Sequence, residues 1–227
     1  LNYAPSLASS APRWNKKSSK KSSRRNNVFK WIRSQAALSK FDQAIFFLQT
    51  FHMAKLGVFN FITLNGFYKG QNEDISWHNF GDDEQNLSDD LSNRGNTLVF
   101  GRFTYEMMAH YWTSSEALEN DPVTAKGMNE SKKIVFSKTM DKVGWQNTIL
   151  ITTNILDAVR TLKRESVSNL TILGSGQIVT QLSDAGLIDT YSFMVNPIAL
   201  GSGCSIFSGL SKKLSLPLES SQTLKSG

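Results

Sequence analysis

Three places in the sequence put glycine, hydroxyl or cationic residues directly after a short apolar run, a combination suited to binding phosphate. The first is Val99–Gly101, which is followed by Arg102 and Thr104. A strand that turns through glycine into a helix presents backbone N–H groups to an anion, and a guanidinium there can add a bidentate contact. The alternative is structural, with Thr104 as a helix N-cap and Arg102 as a solvated side chain.

The other two places repeat this pattern. Ile134–Phe136 runs into Ser137 and Lys138, a hydroxyl and a point charge that suit a phosphate monoester, although an ordinary turn is the simpler explanation. Glycines in a loop between a buried strand and a helix let the backbone approach a pyrophosphate, although a tight turn would also use them. The third place has this form and consists of Gly174, Ser175, Gly176 and Gln177. It is not the Rossmann fingerprint, because Val179 stands at the third glycine position.

Candidate proton donors lie in one segment, at His78, Asp82 and Asp83. The two acids have a structural alternative, because carboxylates at the start of a helix favour its dipole. The three histidines of the chain lie far apart and none has zinc-binding spacing, so no metal site is expected. The single cysteine, Cys204, cannot form an internal disulfide, and the lack of a GxSxG motif argues against a covalent hydrolase.

Alternating strands and helices position these residues. Parallel strands joined by crossovers, with helices on both faces, explain such an alternation, and ligands then bind at the carboxyl ends of the strands. All three candidate loops fall at such ends. The predicted strands are Gly57–Leu64, Thr97–Phe100, Lys133–Phe136, Thr148–Thr152, Leu170–Leu173 and Thr190–Val195; the predicted helices are Asp82–Leu91, Thr104–Tyr111, Leu156–Glu165 and Ile178–Ala185.

The positive charge of the chain is confined to its first segment. The 227 residues carry a formal net charge of +6, but residues 1–52 hold ten Lys or Arg and one acid, whereas residues 53–227 hold 15 basic and 18 acidic residues. The body is therefore mildly acidic, and no apolar run reaches the ~20 residues of a membrane span. Nucleic-acid binding is not expected except through the basic segment.

Residues 1–52 are predicted to be a mostly disordered amino-terminal segment, and residues 53–227 the folded domain. Three explanations of the segment stay open. An Arg- and Ser-rich, acid-poor leader is typical of an organelle transit peptide, a basic arm could bind nucleic acid, or the segment does not belong to the native protein. The last is favoured, because the chain begins with Leu1 and a clean strand pattern begins at Met53.

Five ordered blocks of the body resemble the dihydrofolate reductase superfamily, most closely the branch that includes the RibD carboxy-terminal reductase domain. The blocks are TLNGFYKG (63–70), TLVFGRFTYEMMAHYW (97–112), KKIVFSKT (132–139), LTILGSGQIVTQLSDAGLIDTY (170–191) and PIALGSG (197–203). The resemblance implies an α/β, dihydrofolate reductase-like three-layer α/β/α fold with a mostly parallel central sheet, which binds extended NADPH. It also implies one more strand after Gly227, which this chain is expected to lack.

The same resemblance assigns roles to the candidate residues. Gly101, Arg102 and Thr104 would hold the adenosine-side phosphates, and Ser137 and Lys138 the 2′-phosphate. The pyrophosphate would lie at Gly174–Gln177, and the nicotinamide would be bordered by Thr63, Leu64 and Asn65. Folate-reducing members carry a carboxylate on the helix after the first loop, which here corresponds to the region of Asp82 and Asp83.

The function expected from this resemblance is that of an NADPH-dependent reductase. It would transfer hydride to a C=N or C=O bond of a small heterocyclic or ribosylated pyrimidine-like substrate, as in the riboflavin-pathway reduction of 5-amino-6-(5-phosphoribosylamino)uracil. The alternative is a non-catalytic nucleotide- or ligand-binding protein on the same fold. A cytoplasmic homodimer is also expected, with no membrane partner.

Overall fold

The computed structural model describes residues 53–78, 81 and 95–225. The predicted helix at Asp82–Leu91 and the basic segment 1–52 lie outside the described residues. The strands are β1 (Leu56–Thr63), β2 (Phe67–Lys69), β3 (Thr97–Gly101), β4 (Lys133–Phe136), β5 (Thr148–Ile151), β6 (Leu170–Leu173), β7 (Thr190–Asn196) and β8 (Cys204–Ser205). The helices are α1 (Arg102–Trp112), α2 (Ser115–Asn120), α3 (Pro122–Glu130), α4 (Ile155–Glu165) and α5 (Gly176–Asp184), with a 3₁₀ turn at Gln71–Glu73.

Six strands form one sheet in the order β5-β4-β3-β6-β1-β7, and every pairing within it is parallel. The predicted α/β architecture is thus confirmed. The six predicted strands lie within one residue of the observed bounds, because each is a short apolar run. No helix in the described part of the chain is long and apolar enough to cross a membrane.

The sheet separates two hydrophobic cores, as expected when helices cover both faces. Side chains alternate along β3, so that Val99 enters one core and Leu98 and Phe100 enter the other. The first core includes residues of α4 and α5, such as Val159 and Leu182. The second core is built with residues of α1 and α3 and contains three packed aromatic rings, from Phe100, Tyr105 and Trp145.

A two-stranded antiparallel ribbon, β2 with β8, lies outside the main sheet. The sequence analysis did not predict it, because strands of three and two residues are too short to show alternation. Its packing is close. A Cβ on Gly203, which has a φ of 156°, would come within 2.3 Å of the Lys69 carbonyl oxygen, and the fully buried Ile206 donates its backbone N–H to the Gly66 carbonyl.

The carboxyl end of α3 is capped by the buried ammonium of Lys133, the first residue of β4. Its Nζ donates to the carbonyl oxygens of Met128, Asn129 and Ser131 at 2.7, 3.0 and 2.7 Å. It also lies 4.4 Å from the centre of the Trp145 ring. Burial lowers the pKa of Lys133 to about 8, while the carbonyl dipoles at the helix end favour its charged form. Lys133 is therefore a structural cation.

Two helices begin two residues earlier than predicted. Arg102 is the first residue of α1, which begins directly after β3, and Gly176 is the first residue of α5. The N-cap of α1 is Gly101, so Thr104 lies within the first turn and is not the cap considered in the sequence analysis. The helix α2 begins with a serine cap, Ser114, and α3 with a proline; neither helix was predicted.

Candidate functional site

Three loops meet at the carboxyl ends of β3, β4 and β6, which are neighbouring strands of the sheet. Gly101 at the end of β3 pairs with Phe136 at the end of β4, so the residues that follow, Arg102 and Ser137, leave the sheet at the same level. On the other side of β3 lies β6, which leads into Gly174. The expectation that the candidate phosphate-binding loops share one edge agrees with this geometry.

A serine joins two of these loops directly. The Ser175 hydroxyl accepts a hydrogen bond from the Gly101 backbone N–H at 2.8 Å and donates to the Thr104 hydroxyl at 3.0 Å. A Cβ on Gly101 would lie 3.1 Å from the Ser175 hydroxyl oxygen, so a side chain at this position would crowd the contact. The first turn of α1 is thereby fixed against the loop that precedes α5.

The loop after β6 has an unusual backbone. Gly174 and Ser175 have φ values of 61° and 64°, in the left-handed region that glycine tolerates and serine does not favour. A Cβ on Gly174 would also meet the Thr104 side chain at 2.9 Å. The chain therefore turns sharply away from β6, held in a strained conformation by the hydrogen bonds of Ser175.

The helices α1 and α5 begin without a side-chain cap. The N-cap of α1 is Gly101, which has no side chain. The N-cap of α5 is Ser175, whose hydroxyl makes no hydrogen bond to the first turn of α5. By contrast, Ser114 caps α2 and Asn154 caps α4 in the usual way. The positive ends of the α1 and α5 helix dipoles thus lie at this edge of the sheet, where an anion would be stabilised, while in α5 the Ile178 N–H already donates to the Ser175 carbonyl oxygen and the Gly176 N–H to the Tyr68 phenol.

Two cations lie at the same edge. Arg102 is half-buried, packs 4.5 Å from the centre of the Phe103 ring, and takes no part in the ion pairs of the described residues. Lys138 is exposed. The hydroxyl of the preceding Ser137 accepts hydrogen bonds from the backbone N–H groups of Thr139 and Met140 at 3.2 and 3.1 Å. The Ser137 hydroxyl therefore forms a turn directly after β4, and Lys138 lies exposed in that turn.

Gly176 has a structural explanation that the sequence analysis missed. Its hypothetical Cβ would lie 2.6 Å from Cε1 of Tyr68 and 3.0 Å from the phenol oxygen, so this glycine makes room for an aromatic ring. Burial raises the pKa of Tyr68, with Lys69 and the Gly176 backbone acting in the opposite direction, and the phenol stays neutral. Gln177, the next residue of α5, is exposed.

The loop after β1 is tied to the segment that follows β7. The buried Thr63 hydroxyl donates a hydrogen bond to the Asn65 side-chain oxygen at 2.8 Å and accepts one from the Phe67 backbone N–H at 2.9 Å. The Asn65 side chain in turn donates from Nδ2 to the Leu200 carbonyl oxygen at 2.8 Å, and its Oδ1 accepts a hydrogen bond from the Leu200 backbone N–H at 3.2 Å. Leu64 is 73% exposed, and Asn65 is exposed as well, so of the three residues expected to border the nicotinamide only Thr63 is buried.

His78 belongs to an aromatic group beside β1. Its ring stacks on Phe61 at 4.7 Å with an interplanar angle of 18°, and Trp77 packs edge-on against it at 4.4 Å. Burial lowers the pKa of His78 to about 4, although Asp74 acts in the opposite direction. The imidazole is therefore neutral near pH 7. Asp82 and Asp83, the other candidate proton donors, lie outside the described residues.

The structure brings Gly101, Thr104, Gly174 and Ser175 into direct contact, and it places Arg102, Ser137 and Lys138 at the same sheet edge. It adds Tyr68 and the buried Asn60 of β1, for which sequence spacing gave no signal beyond an amide residue inside an apolar strand. Within the described ranges, no group of three His, Cys, Asp or Glu side chains is arranged to hold a metal ion.

A family model described as the RibD C-terminal domain matches residues 54–227. An uncharacterized protein of Bacillus subtilis, YyaP, is 28% identical over 166 residues, which cover 73% of this chain and 87% of the relative.

Two solved structures share the fold. A protein assigned to riboflavin biosynthesis from Shewanella sp. PV-4 superposes with a TM-score of 0.59 and 22% identity, covering 75% of this chain and 92% of that one. The diaminohydroxyphosphoribosylaminopyrimidine deaminase/5-amino-6-(5-phosphoribosylamino)uracil reductase of Thermotoga maritima superposes with a TM-score of 0.52 and 14% identity, covering 73% and 51%. At such identities the likeness concerns the fold alone.

Proposed function

The chain belongs to the RibD C-terminal domain family, and from this premise we propose that it is an NADPH-dependent reductase of a small heterocyclic substrate. The observation that carries the proposal is the set of anion-binding features at one sheet edge. Two helices begin there without side-chain caps, and Arg102 and Lys138 stand beside them. Fixed cations and helix starts are the groups that hold the phosphates of a dinucleotide.

The residues fit the cofactor in a definite order along the sheet. Lys138 and Ser137, after β4, would hold the 2′-phosphate, while Arg102 and the start of α1 would hold the adenosine-side phosphates. The start of α5, after β6, would hold the pyrophosphate through the positive end of its helix dipole. Gly174, with its φ of 61°, makes the sharp turn that leads into this helix start.

When bound, NADPH supplies the hydride, and the protein contributes position and exclusion of water. The aromatic group of Phe61, His78 and Trp77 offers a flat apolar surface for a planar acceptor ring. His78 is a poor acid at neutral pH, because its pKa is lowered to about 4. We therefore assign the proton to water; Asp82 or Asp83 would serve as the acid only with a pKa raised well above the ordinary Asp value of about 3.9.

The substrate is proposed from chemistry and from the family. The relative from Thermotoga maritima carries the name of a 5-amino-6-(5-phosphoribosylamino)uracil reductase, and a ribosylated pyrimidine of this type is the first acceptor to try. The deaminase activity in that name is not proposed for this chain, which spans 51% of the relative. A homodimer is also proposed, and light scattering after size exclusion measures it.

The test is the oxidation of NADPH, followed at 340 nm, with a panel of C=N and C=O acceptors. The panel includes the ribosylated pyrimidine, its dephosphorylated form and a dihydropterin. Turnover with one class names the substrate. Binding of NADPH without turnover of any acceptor would favour the alternative, a nucleotide-binding protein without catalytic activity.

A further inference from the structure

Asn60 is a buried amide inside an otherwise apolar strand. The residue is 4% exposed, and its Oδ1 is fully buried and accepts no hydrogen bond from the described residues. Buried polar side chains almost always find a partner, and asparagine is disfavoured in strand interiors. A structural role therefore does not explain Asn60, whereas a ligand that donates a hydrogen bond would.

Asn60 lies where the sheet opens. The pairing of β1 with β6 ends at Phe59 and Leu173, whereas the pairing of β1 with β7 continues to Thr63. Beyond Leu173 the chain turns away through Gly174 and Ser175, both with positive φ. From Asn60 onward, the carboxyl end of β1 thus keeps its strand neighbour on the β7 side and has no paired strand on the β6 side; we call this gap in the pairing the notch.

The surroundings of Asn60 are apolar on its own face. Alternation along β1 puts it on the face of Leu56 and Val58, which belong to the first core, and its register partner on β7 is Phe193. Tyr68, which packs against that core, lies at the start of α5 on the same side. A hydrogen bond made in such surroundings is strong, because little water competes for it.

The order of the strands indicates which part of a dinucleotide reaches this notch. The cations and helix starts that suit phosphates follow β4, β3 and β6, and the next strand in the sheet is β1. Neighbouring strands lie about 4.8 Å apart, so an extended dinucleotide with its pyrophosphate at the start of α5 places its nicotinamide at β1. The nicotinamide carries a primary carboxamide, with an N–H₂ donor and a C=O acceptor.

We propose that the side-chain amide of Asn60 recognises the nicotinamide carboxamide, with Oδ1 accepting a hydrogen bond from its N–H₂ group. Asn60 would be a positioning residue that sets the ring in the notch between β1 and β6. The inference rests on the proposed use of NADPH. It predicts a preference that the phosphate-binding residues cannot produce, because they lie at the other end of the cofactor.

Equilibrium binding with three ligands tests the inference: NADPH, its reduced 3-acetylpyridine analogue, in which a methyl group replaces the N–H₂, and 2′,5′-ADP, which lacks the nicotinamide. The wild-type protein should bind the analogue about tenfold more weakly than NADPH. Asn60→Leu, which keeps the branching at Cγ but removes both polar atoms, should weaken NADPH about tenfold, abolish the preference over the analogue and leave 2′,5′-ADP unchanged. It should also raise the thermal midpoint of the free protein, because an unpartnered buried oxygen is removed.

The results separate the inference from the proposed function. Equal binding of NADPH and its analogue by the wild-type protein would overturn the inference alone, and this comparison needs no variant to fold. A loss of NADPH and 2′,5′-ADP binding in equal measure in Asn60→Leu would also overturn it, as a general structural effect. If the wild-type protein bound neither NADPH nor 2′,5′-ADP, the proposed function would fall together with the inference.

Discussion

Replacing Ser175 tests how the candidate site is held together, because its hydroxyl joins the start of α1 to the loop before α5. Ser175→Ala removes the acceptor of the partly buried Gly101 N–H, at 2.8 Å, and the donor to the Thr104 hydroxyl, at 3.0 Å. Loss of a hydrogen-bond partner for a partly buried amide costs about 1–2 kcal/mol, and the second bond adds less. We expect a total loss of about 2 kcal/mol in the free energy of unfolding.

Ser175→Gly separates the hydrogen bonds from the backbone strain. Glycine loses the same two bonds but adopts the φ of 64° at this position freely, which returns about 1 kcal/mol. The order of stability should therefore be wild type, Ser175→Gly, then Ser175→Ala. The exposed Ser202, changed to alanine, is the matched control and should move the free energy of unfolding by less than about 0.5 kcal/mol.

Urea denaturation followed by tryptophan fluorescence measures these differences as shifts in the midpoint at constant slope. Ser175→Ala should also weaken NADPH, since the two loops it joins carry the helix starts that face the phosphates. The reasoning is refuted if Ser175→Ala matches the wild type in stability, or if Ser175→Gly is the less stable of the two variants.

Three further predictions concern other buried contacts. Lys133→Met leaves three carbonyl oxygens at the end of α3 without their cation and should cost about 2–4 kcal/mol by urea denaturation, whereas Lys132→Met, at an exposed neighbour, should cost under about 0.5. The low pKa of His78, about 4 in the folded state, means that the unfolded chain takes up a proton first as pH falls. About 1–2 kcal/mol of stability should therefore be lost between about pH 6.5 and 4, and this part of the pH dependence should vanish in His78→Leu. Gly176→Ala should destabilise the protein through contact with Tyr68, and much less in a Tyr68→Ala background, so equal effects in the two backgrounds would contradict the contact.

The sequence predicted those parts of the fold that show as short local runs of apolar residues. The strand Lys133–Phe136, for example, was found because three apolar residues follow Lys133 and precede the polar Ser137. The starts of α1 and α5 were placed too late, because Arg102 and Gly176 read as turn residues although both have helical backbones. The β2–β8 ribbon is held by tertiary pairing across more than 130 residues, which no local pattern reveals.

The shared position of the three candidate loops was predicted, because it follows from the parallel strands. Loops at strand ends share an edge once the strands are parallel, so Gly101, Ser137 and Gly174 could be brought together from sequence alone. The roles of single residues required side-chain geometry. The contact of Tyr68 with Gly176 and the unpartnered oxygen of Asn60 depend on which face each residue presents and on where β6 ends.

The affinity of the protein for NADPH relative to NADH tests the phosphate-binding edge most directly. Charge-assisted contacts to phosphate contribute roughly 1.5–3 kcal/mol each, so the protein should bind NADPH more tightly. Lys138→Ala should weaken NADPH about tenfold or more and leave NADH almost unchanged, while Lys126→Ala, an exposed cation on α3, should change neither. Equal affinity of the wild-type protein for the two cofactors, or binding of neither, would contradict the assignment of this edge to NADPH.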